Sequence, residues 1–178
     1  MKRVMIVGGP GSGKSTLARL LGERTGLPVH HMDHIHWKPG WQERSRDDKD
    51  RMTHEVHMQD EWIFEGAHSN TYEERLLRAD TFIWLDFPVW LRLFRVLKRS
   101  LVYYGRIRPD LPEGCPERLN WQTAEFVWFI LRTRVKSRSR LATIYRAPPD
   151  HLKTIRLKSL SQVSGFLSGI GADDRVER

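Results

Sequence analysis

Cysteine is almost absent from this sequence, which has Cys115 as its one thiol among 178 residues. A single cysteine excludes an internal disulfide and suits a reducing compartment, so we expect a cytoplasmic protein. Long hydrophobic runs are also absent, and the longest strongly apolar stretch, residues 126–131, is far too short to span a bilayer. Because residues 1–3 lead directly into a predicted strand, we expect neither a signal peptide nor a membrane partner.

Acidic residues are scarce in one part of the chain. The whole sequence has 30 Lys and Arg against 22 Asp and Glu, for a net charge of +8. Residues 92–146 alone hold 13 basic residues against four acidic ones, an excess of +9, so the rest of the chain is close to neutral. A basic region of this kind can bind the phosphates of a nucleotide or of a nucleic-acid backbone, or it can form a solvated helix face.

Glycine, in contrast, is concentrated in one short segment. Residues 8–15 read Gly-Gly-Pro-Gly-Ser-Gly-Lys-Ser and match the phosphate-binding loop G-x-x-x-x-G-K-[ST] in full. A run rich in Val precedes them and a helical pattern follows, which is the strand–loop–helix context that this loop requires. Backbone N–H groups of such a loop cradle phosphates, its lysine reaches the β- and γ-phosphates, and its last hydroxyl ligates Mg²⁺. The segment predicts ATP and Mg²⁺ as cofactors, with nucleotide-binding residues Gly8, Gly9, Pro10, Gly11, Ser12, Gly13, Lys14, Ser15 and Thr16.

Apolar runs and helical patterns alternate along the chain. Five runs predict strands, at residues 2–7, 28–32, 62–65, 81–86 and 152–157. Helices are predicted at residues 46–58, 73–78, 89–102, about 119–144 and around 163–170. This alternation predicts an α/β fold whose parallel sheet is covered on both faces. We expect one domain over residues 1–170 and a disordered polar tail over residues 171–178.

Two of the predicted helices have features that can be checked in a structure. The helix at 46–58 has Ser45 as its expected N-cap, and we expect it to lie on the surface with His54 and His57. The helix at 89–102 is amphipathic. Its apolar face carries Trp90, Leu93, Phe94, Leu97 and Leu101, and its other face carries Arg92, Arg95 and Arg99.

Two stretches interrupt the alternation and are predicted to be irregular. Residues 33–44 include Trp37 and Trp41, which belong either to the core or to a surface that stacks on an acceptor ring. Residues 105–118 contain three prolines and two glycines. Because long structured loops in compact domains commonly act as lids or binding loops, we expect a lid at about 105–118.

Three acidic residues follow predicted strands: Asp33 after the second, Glu65 at the end of the third and Asp86 at the end of the fourth. Ligands of open α/β sheets gather at these carboxyl ends. A carboxylate there can hold the water ligands of Mg²⁺, and another can accept the proton of an attacking hydroxyl. We predict a catalytic role for Asp33 and a metal site of Ser15 with Glu65 acting through water, whereas Asp86 is expected to cap a loop.

Four histidines surround Asp33 within seven residues: His30, His31, His34 and His36. Such a density is compatible with a Zn²⁺ site. Alternation along a strand, however, sends His30 and His31 to opposite faces, and the sequence offers no second ligand cluster. We therefore favour the alternative that His31 or His34 borders an acceptor pocket.

Arginines flank the predicted lid. Phosphoryl transfer spreads negative charge over equatorial oxygens, and arginines that close over the site neutralise it. The residues predicted to act in catalysis are Lys14, Asp33, Arg99, Arg106 and Arg108. Further arginines on the following helix either contribute to the site or form a solvated face; they are Arg132, Arg134, Arg138 and Arg140.

Several segments resemble one known family. From residue 1 to about residue 167, the chain is similar to the P-loop kinase-like proteins often called DNA topology modulation proteins, which are related to adenylate kinase. The segments that carry the resemblance are 8–16, His31-x-Asp33 with Trp37-Lys38-Pro39-Gly40-Trp41, 62–66 (Trp-Ile-Phe-Glu-Gly), 85–88 (Leu-Asp-Phe-Pro) and 105–117 (Gly-Arg-x-Arg-Pro-Asp-x-x-x-Gly-Cys-Pro-Glu). Relatives tend to have Asp in place of Glu65, and adenylate kinases proper have Gly-Thr in place of Ser15-Thr16.

The resemblance implies a three-layer P-loop fold with five parallel strands in the order 2-3-1-4-5 and a mobile lid. It implies ATP and Mg²⁺ binding, with Asp33 facing the acceptor. We therefore expect an ATP-dependent phosphotransferase that acts on a nucleotide, nucleoside or other small hydroxyl compound. The alternatives are a nucleic-acid-associated ATPase or polynucleotide kinase that uses the basic region 92–146, and a nucleotide-binding pseudo-kinase that regulates a partner.

Overall fold

A five-stranded parallel sheet organises the chain. The structure, a computed structural model, describes residues 1–108, 110–117 and 121–170. In chain order its elements are β1 (Arg3–Gly8), α1 (Lys14–Thr25), β2 (Val29–His31), α2 (Met32–His36), β3 (Trp37–Lys38), β4 (Gln42–Glu43), α3 (Arg46–His57), β5 (Trp62–Glu65), a 3-10 turn (Ser69–Thr71), α4 (Tyr72–Arg78), β6 (Thr81–Leu85), α5 (Val89–Val102), α6 (Trp121–Arg146), β7 (Lys153–Leu157) and α7 (Leu160–Gly169). The predicted tail, 171–178, and the predicted lid end at Arg118 lie outside the described residues.

The main sheet has the order β2-β5-β1-β6-β7, and each neighbouring pair of strands is parallel. With its five strands numbered along the chain, this is the predicted order 2-3-1-4-5, which is confirmed. Alternate residues of β1 serve opposite faces of the sheet: Val4 and Ile6 pack with α1 and α7, whereas Met5 and Val7 pack with side chains from α3, α4 and α6. Of the helices that the structure describes, none is both long and apolar enough to cross a membrane.

The stretch 33–44 is more regular than predicted. Met32, which was expected to end the second strand, instead begins the short helix α2, and β3 and β4 then form an antiparallel hairpin. Gly40 and Trp41 turn this hairpin with φ values of 78° and 63°. Gly40 adopts this left-handed region readily, whereas a positive φ is uncommon for a bulky residue such as Trp41.

Helix α3 begins at the predicted residue, but one of its histidines is buried rather than exposed. Ser45 caps it, and its side chain accepts a hydrogen bond from the Asp48 backbone at 3.2 Å. His57, expected on the surface, is fully buried against the rings of Trp62 and Phe64. Burial lowers the pKa of His57 to about 3, with further lowering by the positive charge of Arg75.

Helix α5 has the opposite orientation from the one that its amphipathic pattern favours. Its buried residues are Arg92, Val96 and Ser100, which lie on the side that faces the phosphate-binding loop. Its apolar stripe is exposed instead: Trp90 is 69% exposed and Leu101 is 65% exposed. The pattern correctly predicted a helix, but the more apolar face is not the one that packs.

Candidate functional site

The phosphate-binding loop joins β1 to α1 and approaches its neighbours closely. A Cβ atom on Gly11 would lie 2.3 Å from the carbonyl oxygen of Arg92, so only glycine fits there. Gly13 precedes α1 with φ 91° and gives no side-chain cap, and the first turn of α1 carries no acidic residue. The first N–H groups of α1 therefore remain available to an anion, with the positive end of the helix dipole behind them.

Ser15 and Glu65 connect this loop to the end of β5. The Ser15 hydroxyl donates a hydrogen bond to Glu65 Oε1 at 2.9 Å, and His31 Nδ1 lies 2.9 Å from the same oxygen. Glu65 is buried, which by itself would raise its pKa. The hydrogen bonds from His31 and Ser15 and the charge of Lys14 outweigh burial, so the pKa of Glu65 is lowered.

The pKa of His31 moves in the other direction. Burial opposes its protonation, but the hydrogen bond and the negative charge of Glu65, with the charges of Asp110 and Asp33, raise its pKa above the ordinary value. Both shifts stabilise the charged forms, a protonated His31 beside an ionised Glu65. The side chains of Ser15 and Glu65 both carry oxygen atoms, which are the ligands that Mg²⁺ prefers, either directly or through water.

Asp33 lies half-buried at the start of α2, beside the same cluster. Burial is the largest cause that raises its pKa, and the negative charges of Glu65 and Asp110 raise it further. The positive charges of Lys14 and Arg108 act against this rise. Asp33 therefore shares one electrostatic environment with the loop lysine and with the predicted lid, although these residues are far apart in the sequence.

Two of the three predicted lid arginines lie in this environment. Arg108 is buried; its Nη1 lies 2.7 Å from Asp110 Oδ2, and its Nε lies 2.6 Å from Glu117 Oε1. Arg99 Nε lies 3.4 Å from the same Glu117 oxygen. Arg106 is exposed, and the structure does not bring its side chain to the other two. Sequence reasoning grouped the three arginines because they are close in the chain, and it missed the carboxylates that pair with two of them.

The predicted lid rests on the hairpin β3–β4. The Gly40 N–H donates to the Gly114 carbonyl at 3.0 Å, and the Trp41 indole N–H donates to the Pro116 carbonyl at 2.9 Å. Cys115 is fully buried between the two segments, where its thiol donates to the Lys38 carbonyl at 3.3 Å. Trp41 therefore connects the predicted lid to the hairpin, and its ring packs edge-on against the ring of Trp37.

A cavity of about 270 Å³ lies against the phosphate-binding loop. Its walls come from the loop, α1, β6, α5 and α7, and include Ser12, Gly13, Thr16, Phe87, Arg95 and Leu160. The Arg95 guanidinium lies 4.7 Å from the centre of the Phe87 ring, a flat surface on which a nucleotide base can stack. The sequence analysis did not predict a ligand-binding role for Phe87 or Arg95.

Two polar groups at the phosphate-binding loop also indicate that it binds an anion. Ser12 Oγ is buried and has no hydrogen-bond partner among the described residues. The Arg92 guanidinium lies directly against Gly9, where a Cβ atom would come within 1.6 Å of Nη1. An orphaned hydroxyl and a cation beside the glycine backbone fit an anionic ligand.

Arg75 supports the end of β5 and was not identified from the sequence. It is fully buried, and its Nη1 donates to the carbonyl of Gly66, the residue after Glu65, at 2.9 Å. Its guanidinium lies 4.2 Å from the centre of the Phe64 ring, and burial lowers its pKa to about 10. Its position is that of a residue that fixes the backbone next to Glu65.

Asp86, His34 and His36, in contrast to His31, make their contacts outside the cluster around Glu65. Asp86 Oδ1 accepts from Arg138 Nε at 2.9 Å, and Asp86 Oδ2 accepts from Arg156 Nη2 at 2.5 Å, so Asp86 ties α6 to the sheet. His34 is exposed, and His36 Nε2 lies 3.7 Å from Glu43. Within residues 1–108, 110–117 and 121–170, no group of three or more His, Cys, Asp or Glu side chains is arranged to hold a metal ion.

Comparison with solved structures gives matches along almost the whole chain. A sugar kinase from Janibacter sp. HTCC2649 is 20% identical, with 97% of each chain covered and a TM-score of 0.51. A gluconokinase from Sinorhizobium meliloti 1021 is 13% identical, covers 99% of this chain and 97% of its own, and has a TM-score of 0.51. Shikimate kinase from Acinetobacter baumannii in complex with shikimate is 15% identical, covers 99% and 96%, and has a TM-score of 0.54.

These matches show that the chain has the P-loop kinase fold of the shikimate and gluconate kinase type. No protein-family model matches the sequence, and no curated protein matches it. Because the identities are low, the likeness concerns the fold and does not assign the site residues.

Proposed function

We propose that this protein is an ATP-dependent phosphotransferase whose acceptor is a small hydroxyl compound. The observation that supports this most directly is the convergence of Lys14, Ser15 and Glu65 with Asp33 at the carboxyl edge of the sheet. A phosphate-binding loop alone would serve any nucleotide-binding protein. A carboxylate whose charge interacts with that of the loop lysine adds a group that can act on an acceptor.

In the proposed reaction, the acceptor oxygen attacks the γ-phosphorus of ATP. A bond forms between this oxygen and phosphorus, the bond from phosphorus to the β–γ bridging oxygen breaks, and ADP leaves. The Asp33 carboxylate accepts the hydroxyl proton, and its raised pKa makes it a better base than an ordinary Asp. Lys14 binds the β- and γ-phosphates, and Arg99 and Arg108 face the negative charge that develops on the transferred group.

Mg²⁺, when bound, neutralises charge on the phosphates and orients them. Ser15 and Glu65 are the residues that would hold it, with Glu65 acting through water. The hydrogen bond that now joins them would then be exchanged for ligation. We also propose that Arg106 reaches the site only when the lid moves, because its side chain is exposed.

We further propose, from the residue motifs, that the protein belongs with the DNA topology modulation proteins of the P-loop kinases and acts in the cytoplasm. A second candidate function, a nucleic-acid-associated ATPase or polynucleotide kinase, is favoured by one observation. Exposed basic side chains run along α6 at Arg132, Arg134, Lys136, Arg138 and Arg140.

An ADP-release screen tests the proposal against this second candidate. Purified protein with ATP and Mg²⁺ is assayed over nucleosides, nucleotides, sugars and polynucleotides, with the Lys14→Ala variant as the blank. Turnover with a small hydroxyl compound supports the phosphotransferase. Turnover that requires DNA or RNA, with no small compound phosphorylated, supports the second candidate and contradicts the first.

A further inference from the structure

Helix α5 has a row of large apolar side chains that nothing in the chain covers among the residues that the structure describes. The row consists of Trp90, Phe94, Leu97 and Leu101, each of which is between 44% and 69% exposed. Single exposed apolar residues are normal, whereas several that adjoin one another mark an interaction site. These four residues, called here the α5 stripe, therefore form a candidate interface.

The spacing of the α5 stripe suits a second helix. Its members follow one another at intervals of four, three and four positions, which places them along one face of α5 in the pattern of a coiled-coil seam. The opposite face of α5 is already occupied, because Arg92 packs against Gly9 and Gly11, and Val96 packs against Gly11. The partner is therefore expected to be a helix that lies lengthwise on the exposed face.

The order of residues makes the α5 stripe complementary to itself. The two aromatic residues lie toward the beginning of the helix and the two leucines toward its end. When two copies of α5 pack antiparallel about a two-fold axis, Phe94 of each copy faces Leu97 of the other, and Trp90 faces Leu101. A symmetric interface requires such reciprocity, since each contact must occur twice. Each large ring then meets a smaller side chain, so that the two surfaces can interdigitate.

The charges on α5 do not oppose this pairing. Lys98 is the one charged side chain of α5 that is exposed, and the helix contains no acidic residue. In the antiparallel pair the two Lys98 positions are offset by five residues, about 7.5 Å along the helix axis, so they do not face each other. A lipid surface or an acidic helix would be held by several cations beside the stripe, and α5 itself exposes only this one.

The area of the α5 stripe is sufficient for a specific contact. Two rings and two leucines at these exposures bury on the order of 1,000 Å² when two copies pair, with both surfaces counted. This value reaches the lower limit for a specific interface and is small for an obligate dimer. We therefore expect a dimer in equilibrium with its monomer.

We propose that the protein forms a symmetric homodimer in which the α5 stripes of two copies pack antiparallel. The interface lies outside the candidate active site, and the proposal does not depend on the proposed reaction. Because the buried face of α5 packs against the phosphate-binding loop and the helix leads into the predicted lid, the dimer contact would hold the element that joins these two segments.

The test is sedimentation velocity of the full chain over a concentration series, with complementary charges introduced into the stripe. Wild type is expected to dimerise with a dissociation constant in the micromolar range. Phe94→Lys and Leu97→Glu are each expected to be monomeric, because each places two charges in an apolar interface. An equimolar mixture of the two variants is expected to dimerise again. In the mixed dimer the introduced ammonium faces the introduced carboxylate, and the second Phe94–Leu97 contact is native.

Leu77→Glu is the matched control, since Leu77 is a 71% exposed leucine on α4, and it is expected to dimerise as wild type does. Thermal melts and ATP titration check that each variant is folded. Trp90→Lys with Leu101→Glu is a second complementary pair if the first does not fold. Raising the salt concentration from about 0.1 M to about 1 M should leave the wild-type dimer intact, because its contacts are apolar.

A wild-type protein that is monomeric at every concentration overturns the proposal. Flotation with vesicles of phosphatidylserine and phosphatidylcholine then tests the other occupant: binding that Trp90→Ser abolishes and high salt weakens would show that a lipid surface covers the stripe. A dimer that survives Phe94→Lys and Leu97→Glu overturns the assignment of the interface to α5. Variants that are monomeric alone and remain monomeric when mixed overturn the antiparallel pairing.

Discussion

The Ser15 hydroxyl donates a hydrogen bond across 50 residues of sequence to Glu65, with 2.9 Å between Oγ and Oε1. The register of the sheet makes this possible, because Glu65 is paired with Ile6 on β1 and with His31 on β2. An Asp at this position would end one methylene short of Ser15. The longer side chain reaches the first turn of α1 and there forms a pair with His31 as well.

Lys14→Ala is expected to abolish measurable ATP binding and leave the fold intact. The lysine makes charge-assisted hydrogen bonds to the phosphates only when ATP is bound, so folding does not depend on it. Calorimetric titration with ATP and a thermal melt measure the two effects. Lys153→Ala, on the exposed side of β7, is the control and should bind ATP normally. Unchanged ATP affinity in Lys14→Ala would contradict the assignment of the loop.

Asp33→Asn is expected to lower turnover on the true acceptor by roughly 10²-fold or more, the usual scale for loss of a general base. ATP affinity should change little, because Asp33 does not contact the phosphate-binding loop directly in the proposed arrangement. Steady-state kinetics and ATP titration separate the two effects. Asp47→Asn, an exposed residue of α3, serves as the control. Equal losses of ATP binding and turnover would place Asp33 on the metal instead.

Glu65→Gln is expected to reduce stability most between about pH 4.5 and 6.5. The folded pKa of Glu65 is lowered, so its contribution is present above the ordinary value of 4.5 and is lost as the pH falls through the folded value. The folded pKa of His31 is raised, so its contribution is complete below 6.5 and is lost as the pH rises through the folded value. Both contributions coincide in this window.

Urea denaturation of wild type and Glu65→Gln over a pH series measures the difference in free energy of unfolding. Glu61→Gln is the matched control, since Glu61 is half-exposed and forms only a 3.4 Å surface pair with Lys2. A difference between wild type and Glu65→Gln that does not vary with pH would show that the Glu65–His31 pair is not charged.

Arg108→Ala and Arg106→Ala are expected to differ, although the two residues are neighbours in the lid. Arg108→Ala leaves Asp110 without its guanidinium partner and leaves the buried Glu117 with only Arg99, at 3.4 Å, and should cost roughly 3 kcal/mol of stability. It should also reduce turnover strongly. Arg106 is exposed, so Arg106→Ala should change stability by less than about 0.5 kcal/mol and reduce turnover less. Chemical denaturation and ADP-release kinetics on both variants check this, and equal effects would contradict the placement of Arg108.

Some features of this protein follow from the sequence because their signals are local. The glycines of residues 8–13 and the adjoining Lys14 and Ser15 specify a phosphate-binding loop wherever a strand and a helix flank them. Ser45 caps α3 through a neighbour three residues away. Apolar runs alternating with helical patterns specify a parallel sheet, and the family resemblance supplied the strand order.

The tertiary structure alone decided which distant groups meet. Arg108 pairs with Glu117, and Arg75 donates a hydrogen bond to the Gly66 carbonyl, because the fold brings these residues together. No spacing in the sequence encodes these contacts. Helix α5 shows the physical reason most clearly. Its amphipathic pattern favours burial of Trp90 and Leu101, but the side that packs is the one that meets the glycine backbone at Gly9 and Gly11. Hydrophobic periodicity reports that a helix has two faces, whereas the neighbours that the fold provides determine which face is buried.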